Sequence, residues 1–178
     1  MKNTTSSLAV VGLLVLMGCS DSSDAPAAPE TASEPSAEAP SAGPASAALD
    51  SVFSEYEQIR DALVRDEASQ IAAAATRIHD QAQGIHTPAL QARMTEVASA
   101  AEALSQADAA DLPAVRRAFG ALSQPLVALL DENAELASNR YVFECPMAEG
   151  YGRWIQPTEE LQNPYMGTMQ PTCGQAVP

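Results

Sequence analysis

The chain has 178 residues, three cysteines, 13 prolines and a formal net charge of −14. An acidic balance of this size argues against nucleic acid as a partner and against charge-driven binding to anionic lipid headgroups. Set apart from an apolar leader and a low-complexity stretch, the remainder is long enough for one modest hydrophobic core.

Residues 1–18 read as a secretory leader, with Lys2 as the positive n-region and Leu8–Met17 as an apolar run too short to span a bilayer. The ending Leu16-Met17-Gly18-Cys19 resembles the bacterial lipobox, in which a cysteine after a small residue is lipidated and becomes the mature N-terminus. That resemblance implies acylation of Cys19 by a palmitate-type chain, a periplasmic protein, and attachment to the membrane without spanning it. Ser20 follows the cysteine, which by resemblance to lipoprotein sorting favours the outer membrane over the inner. Residues 19–48 are rich in Pro, Ala, Ser and Glu and hold hardly any apolar side chain larger than alanine, so they are expected to be a disordered tether.

Four helical segments are expected over residues 49–138. The first, Leu49–Arg65, carries Leu49, Val52, Phe53, Tyr56, Ile59, Leu63 and Val64 on one stripe with a 3.6-residue period. Asp66 is placed to cap the second, Glu67–Gln83, whose alanine-rich face (Ala68, Ile71, Ala72, Ala75, Ile78, Ala82) suits close approach by its neighbours. Gly84 stops that helix. Thr87 and Pro88 open the third, which runs to Gln106 with Leu90, Met94, Val97, Ala98, Ala101 and Leu104 inward. Asp111 caps the fourth, Leu112–Leu136, where Pro125 is expected to kink or split the helix near Ala121–Leu122. Short turns between such helices imply antiparallel neighbours. The expected fold class is therefore all-α: an up-down four-helix bundle, with a short β-hairpin and an irregular Cys/Met-rich cap over residues 139–178.

In that cap Tyr141–Cys145 is strand-like, Arg153–Gln156 is placed to pair with it, and Asn163-Pro164 starts a turn. Trp154 and Tyr165 are expected to seat the cap on the helices. Cys145-Pro-Met147, Met166-Gly-Thr-Met169 and Cys173 gather soft sulfur donors. Thiolates and thioethers select a polarizable d10 cation such as Cu(I) over hard or borderline ions. Zinc is disfavoured, because no paired CxxC or His-x-His accompanies them. The same two cysteines could instead form a disulfide closing a loop of about 28 residues, worth ~3 kcal/mol. The residues alone leave metal and disulfide open.

The ordered pieces Val-Phe-Glu-Cys145-Pro-Met147-Ala, Gly-Tyr-Gly-Arg-Trp154-Ile, Asn163-Pro-Tyr-Met166-Gly and Met169…Cys173-Gly174 resemble the tail of a bacterial family of unknown function. The Tyr56-to-Asp66 pattern of the first helix resembles it too. Members occur as periplasmic lipoproteins and as pieces of copper/silver efflux adaptor proteins. The resemblance implies metal handling, with Cu(I) or Ag(I) as the ion and efflux components as partners. This chain has Met166 where the family often has Phe, and one more residue between Met169 and Cys173. The expected ligands are therefore Cys145, Met147, Met169 and Cys173, with Met166 in second rank. The lone histidines His79 and His86 are expected to be surface or internally satisfied residues. The carboxylates Glu55, Glu57, Asp61, Asp66 and Glu67 are expected to form a solvated face. No nucleophile, base and orienting group assemble, so no enzyme is expected. The functional expectation is a soft-metal binding lipoprotein that buffers the ion or hands it to efflux. Its alternative is a non-catalytic structural or interaction lipoprotein whose tail is a disulfide-stapled cap.

Overall fold

The computed structural model describes residues 44–177; the leader, Cys19 and the tether up to residue 43 lie outside the described residues. The described chain is mainly helical, with a small three-stranded antiparallel sheet at its C-terminal end. Helix α1 is Pro44–Val64, α2 Ile71–Gln83, α3 Gln91–Ser105, α4 Leu112–Glu132 and the short α5 Ala134–Ala137. Strands β1 (Tyr141–Glu144), β2 (Arg153–Gln156) and β3 (Gln175–Val177) follow, with a 3-10 turn at Gly167–Met169. No described helix is long and apolar enough to cross a membrane.

The apolar period dictates the helical core. Val52, Tyr56, Ile59 and Leu63 of α1, Ala75 and Ile78 of α2, Met94, Val97, Ala101 and Leu104 of α3, and Phe119, Leu122, Leu126 and Leu129 of α4 are all essentially without solvent exposure. Consecutive helices are neighbours: α1 packs on α2, α2 on α3 and α3 on α4, and α4 also carries β2. The alanine face of α2 lets it lie between α1 and α3.

Boundaries differ from expectation where side chains have other partners. Helix α1 begins at Pro44, inside the stretch expected to be tether. Asp66 does not cap α2; it adopts a left-handed backbone (φ 60°) just past the end of α1, and α2 starts only at Ile71. The Thr87 carbonyl, rather than its side chain, accepts from Leu90 and Gln91 to turn the chain into α3. Asp111 caps α4 as expected, accepting from the Ala114 amide at 3.0 Å. Helix α4 runs through Pro125 without splitting. The ring denies the Ala121 carbonyl its helical donor, and Ala121 faces solvent, where water can satisfy it. The helix ends early, at Asn133, whose side-chain amide donates to the Leu129 carbonyl at 2.8 Å.

The expected hairpin is present, with Tyr141 opposite Gln156 and Glu144 opposite Arg153. Strand β3, which no local sequence pattern announces, pairs with the other edge of β1, Glu144 opposite Gln175. The sheet order is β2-β1-β3.

Candidate soft-metal site at the C-terminal cap

Five aromatic rings join the cap to the helices. Tyr56 of α1 stacks on Phe119 of α4 at 5.0 Å between centroids, Phe119 meets Tyr165 at 5.8 Å, Tyr165 meets Trp154 edge-on at 5.9 Å, and Trp154 stacks on Phe143 at 5.6 Å. Trp154 is completely buried and Tyr165 nearly so, which is the seating role expected of them. Gly120 on α4 permits this approach: a Cβ there would stand 2.5 Å from the Tyr151 carbonyl oxygen.

Polar groups fix the register of this seam. Ser123 Oγ donates to the Phe119 carbonyl at 2.9 Å, so its contact with Tyr56 at 2.7 Å has the tyrosine as donor. The Tyr56 oxygen in turn accepts from the Ile155 amide of β2 at 3.2 Å. Burial pushes the Tyr56 hydroxyl far above the ordinary phenol range, so it stays a donor at any physiological pH. Arg60, almost fully buried, is held by Glu57 and Asp61 and reaches the Gln162 carbonyl in the cap at 3.3 Å. Asp66 pairs with Arg116 and receives the Thr168 amide and hydroxyl. Asp66 is exposed, as expected of that carboxylate group, and it also clamps the end of α1 to α4 and the cap. Gly167 (φ 52°) is needed beside it, because a Cβ would run into the Asp66 carboxylate and Arg116. Of the other carboxylates in that group, Glu55 pairs with Arg77 and Glu67 with Arg65 on the solvent side, while Glu57 and Asp61 flank Arg60.

Inside the cap two buried amides organise the irregular chain. Gln156 accepts from the Trp154 indole at 3.0 Å and donates to the Thr158 and Glu160 carbonyls at 2.8 and 2.7 Å. Asn163 has no solvent exposure; its Oδ1 accepts from the Tyr165 and Met166 amides at 2.8 and 3.1 Å, an Asx turn, and its Nδ2 donates to the Cys173 carbonyl. The turn at Asn163-Pro164 is as expected; its grip on Cys173 has no signal in the local sequence.

That grip and the β1–β3 register bring the two cysteines together. Cys145 follows β1 and is buried, its amide donating to the Gly152 carbonyl at 2.9 Å. Cys173 precedes β3 and is partly exposed. Just before β3, Gly174 (φ 138°) lets the backbone pass Glu144 and Trp154, where a Cβ would stand 2.8 Å from the Glu144 carbonyl oxygen. No bond joins Cys145 and Cys173, and the β1–β3 register brings both to the same end of the sheet. Burial pushes the Cys173 thiol up, and the neighbouring Cys145 adds to the shift.

The methionines are placed differently. Met147 is 62% exposed, over a shallow depression lined by Arg116, Arg117 and Tyr165. Met169 is 79% exposed at the end of the 3-10 turn, and Met166 packs partly buried against the core. His79 has both ring nitrogens engaged: Gln83 donates its amide to Nε2 at 2.6 Å, which leaves Nδ1–H to donate to the Ala98 carbonyl at 3.0 Å. His86 is exposed. Among the described residues no group of three or more His, Cys, Asp and Glu side chains converges.

Residues 52–138 match the profile of a family described as "Protein of unknown function (DUF3347)". The match covers the helices from Val52 on and stops before β1, so the cap with its two cysteines lies outside it. No curated protein and no solved structure matches the chain.

Proposed function

We propose that this chain is a lipid-anchored periplasmic protein that binds a soft metal ion, Cu(I) first and Ag(I) second, and buffers it or hands it to an efflux system. In this reading Cys19 carries the lipid at the outer membrane, residues 19–43 tether the folded part, and the helices form an up-down four-helix bundle that carries the cap. The observation that supports it is the placement of Cys145 and Cys173: two sulfurs distant in sequence, brought to the same end of a small sheet by the β1–β3 register. Polarizable sulfur paired with a polarizable d10 cation is the chemistry that such a pair favours. Met147, Met169 and, in second rank, Met166 are the further donors expected from the sequence, and the exposure of Met147 and Met169 sets those two apart from the thiol pair.

Anaerobic titration of the reduced protein with Cu(I), against a coloured Cu(I) chelator, tests this. The expected result is one tightly held ion per chain, and loss of at least a hundredfold in affinity in Cys145→Ser. An affinity unchanged in that variant removes Cys145 from the site.

The same adjacency supports a second reading, a disulfide-stapled cap in a structural or interaction lipoprotein. Thiol counting on unreduced protein separates the two. A quantitative Cys145–Cys173 bridge that survives mild reductant favours the staple; two free thiols favour the metal.

A further inference from the structure

The thiols and the exposed thioethers rest on different supports. Cys145 directly follows β1 and Cys173 lies two residues before β3, so the antiparallel β1–β3 register brings both to one end of the sheet. Met147 belongs to the β1–β2 connection and lies towards Arg116 and Arg117 of α4. Met169 ends a turn whose Thr168 is tied to Asp66 at the end of α1. Drawing either thioether onto the thiol pair would require it to give up side-chain rotamer freedom, and Met169 would have to be drawn from a turn that Asp66 holds. No third His, Cys, Asp or Glu completes the pair among the described residues. A d10 monovalent ion is satisfied by two thiolates in line, which a four-coordinate ion is not.

Resting on the soft-metal reading above, we propose that Cys145 and Cys173 hold the ion alone, as a two-coordinate bis-thiolate, and that it leaves by exchange with an incoming thiolate on the Cys173 side. The direction follows from burial: Cys145 is 2% exposed, while Cys173 is partly open to solvent. On loading, each thiol releases its proton to water as its S–Cu bond forms. On unloading, the acceptor thiolate adds to copper as a third sulfur. The Cys173–Cu bond then breaks, and the Cys173 sulfur takes a proton from water. A second acceptor thiolate displaces Cys145 in the same way. Copper remains Cu(I) throughout, so no oxidant or reductant takes part. The partner implied is a dithiol acceptor, and the open side of a two-coordinate ion is what admits it.

The test uses the reduced full chain, loaded anaerobically with Cu(I), as wild type and as Met147→Leu/Met169→Leu; both methionines are exposed, so the fold is retained. X-ray absorption at the copper edge is expected to show two sulfur neighbours in each. Three or four sulfurs in the wild type, falling in the double variant, would overturn the two-thiolate site. Transfer to dithiothreitol in a stopped-flow instrument is expected to rise in proportion to dithiol concentration; a rate independent of dithiol overturns exchange by an incoming thiolate. A wild-type chain that takes up no Cu(I) from the competing chelator overturns the soft-metal reading itself. Tight uptake with a methionine-dependent sulfur count overturns only the coordination inferred here.

Discussion

The helical body and the C-terminal cap are stabilised by different chemistry. In the body the buried positions are alanine and aliphatic or aromatic side chains repeating every three to four residues, and the packing is spread over many similar contacts. In the cap the burden falls on a few unlike groups, chiefly one indole, one phenol and two amides, and no two of them act alike. The two buried polar side chains of the body, Arg60 and Ser123, are those that meet the cap, one at the Gln162 carbonyl and the other through Tyr56 and Ile155. Polar burial is thus concentrated at the seam and beyond it. The body should tolerate conservative apolar changes, whereas single substitutions in the cap remove contacts that nothing nearby duplicates.

The sharpest way to break this contrast is Trp154→Ala. It deletes a fully buried indole stacked on Phe143 and edge-on to Tyr165, and should cost about 3–5 kcal/mol in urea unfolding followed by far-ultraviolet circular dichroism. A cost under about 1 kcal/mol would mean that the cap is not part of the cooperative unit. Asn163→Ala comes next. It strands two amides and the Cys173 carbonyl, for about 1–3 kcal/mol, and alkylation of Cys173 should quicken. Unchanged alkylation would show that β3 alone positions that thiol. The smallest effect is Asp66→Asn, under about 1 kcal/mol at neutral pH for so accessible an ion pair. The Thr168 hydroxyl first, and Arg116 after it, hold the Asp66 carboxyl below the usual range, so folding favours its anion. Its contribution is complete above the ordinary carboxylate range and is lost as pH falls through and below it. The melting temperature of Asp66→Asn should therefore fall less steeply on acidification than that of the wild type. Superimposable acid limbs would remove Asp66 from the seam.

The same division explains which features are legible in the chain itself. The inward stripes of α1, α3 and α4 follow from period alone, and the Asp111 cap and the β1–β2 hairpin follow from local chemistry. Asp66 misleads because an aspartate before a helix reads as a cap, while its actual partners, Arg116 and Thr168, lie far along the chain. Strand β3 is three residues, with valine its only large apolar side chain, and no pattern that short announces a strand. At the candidate site, the sulfur residues are legible as a set, but their grouping is not. The adjacency of Cys145 and Cys173 depends on β3, on Gly174 and on the Asn163 amide, none of which sulfur spacing encodes. The exposure of Met147 and Met169 is likewise a result of where two turns point.

The span of the seam contacts bears on the order in which the protein folds. Tyr56 and Ile155 are 99 residues apart, and Arg60 and Asp66 reach partners 102 residues downstream. Closing loops of that length comes late, because their entropy is lost before the contact forms. A chain emerging N-terminus first can pair α1 with α2 and α2 with α3 early, yet its α1 surface stays incomplete, with Tyr56 lacking Ile155, Arg60 lacking Gln162 and Asp66 lacking Thr168, until the cap arrives. The cap is then the closing event of folding, and the two thiols meet only when it has taken place.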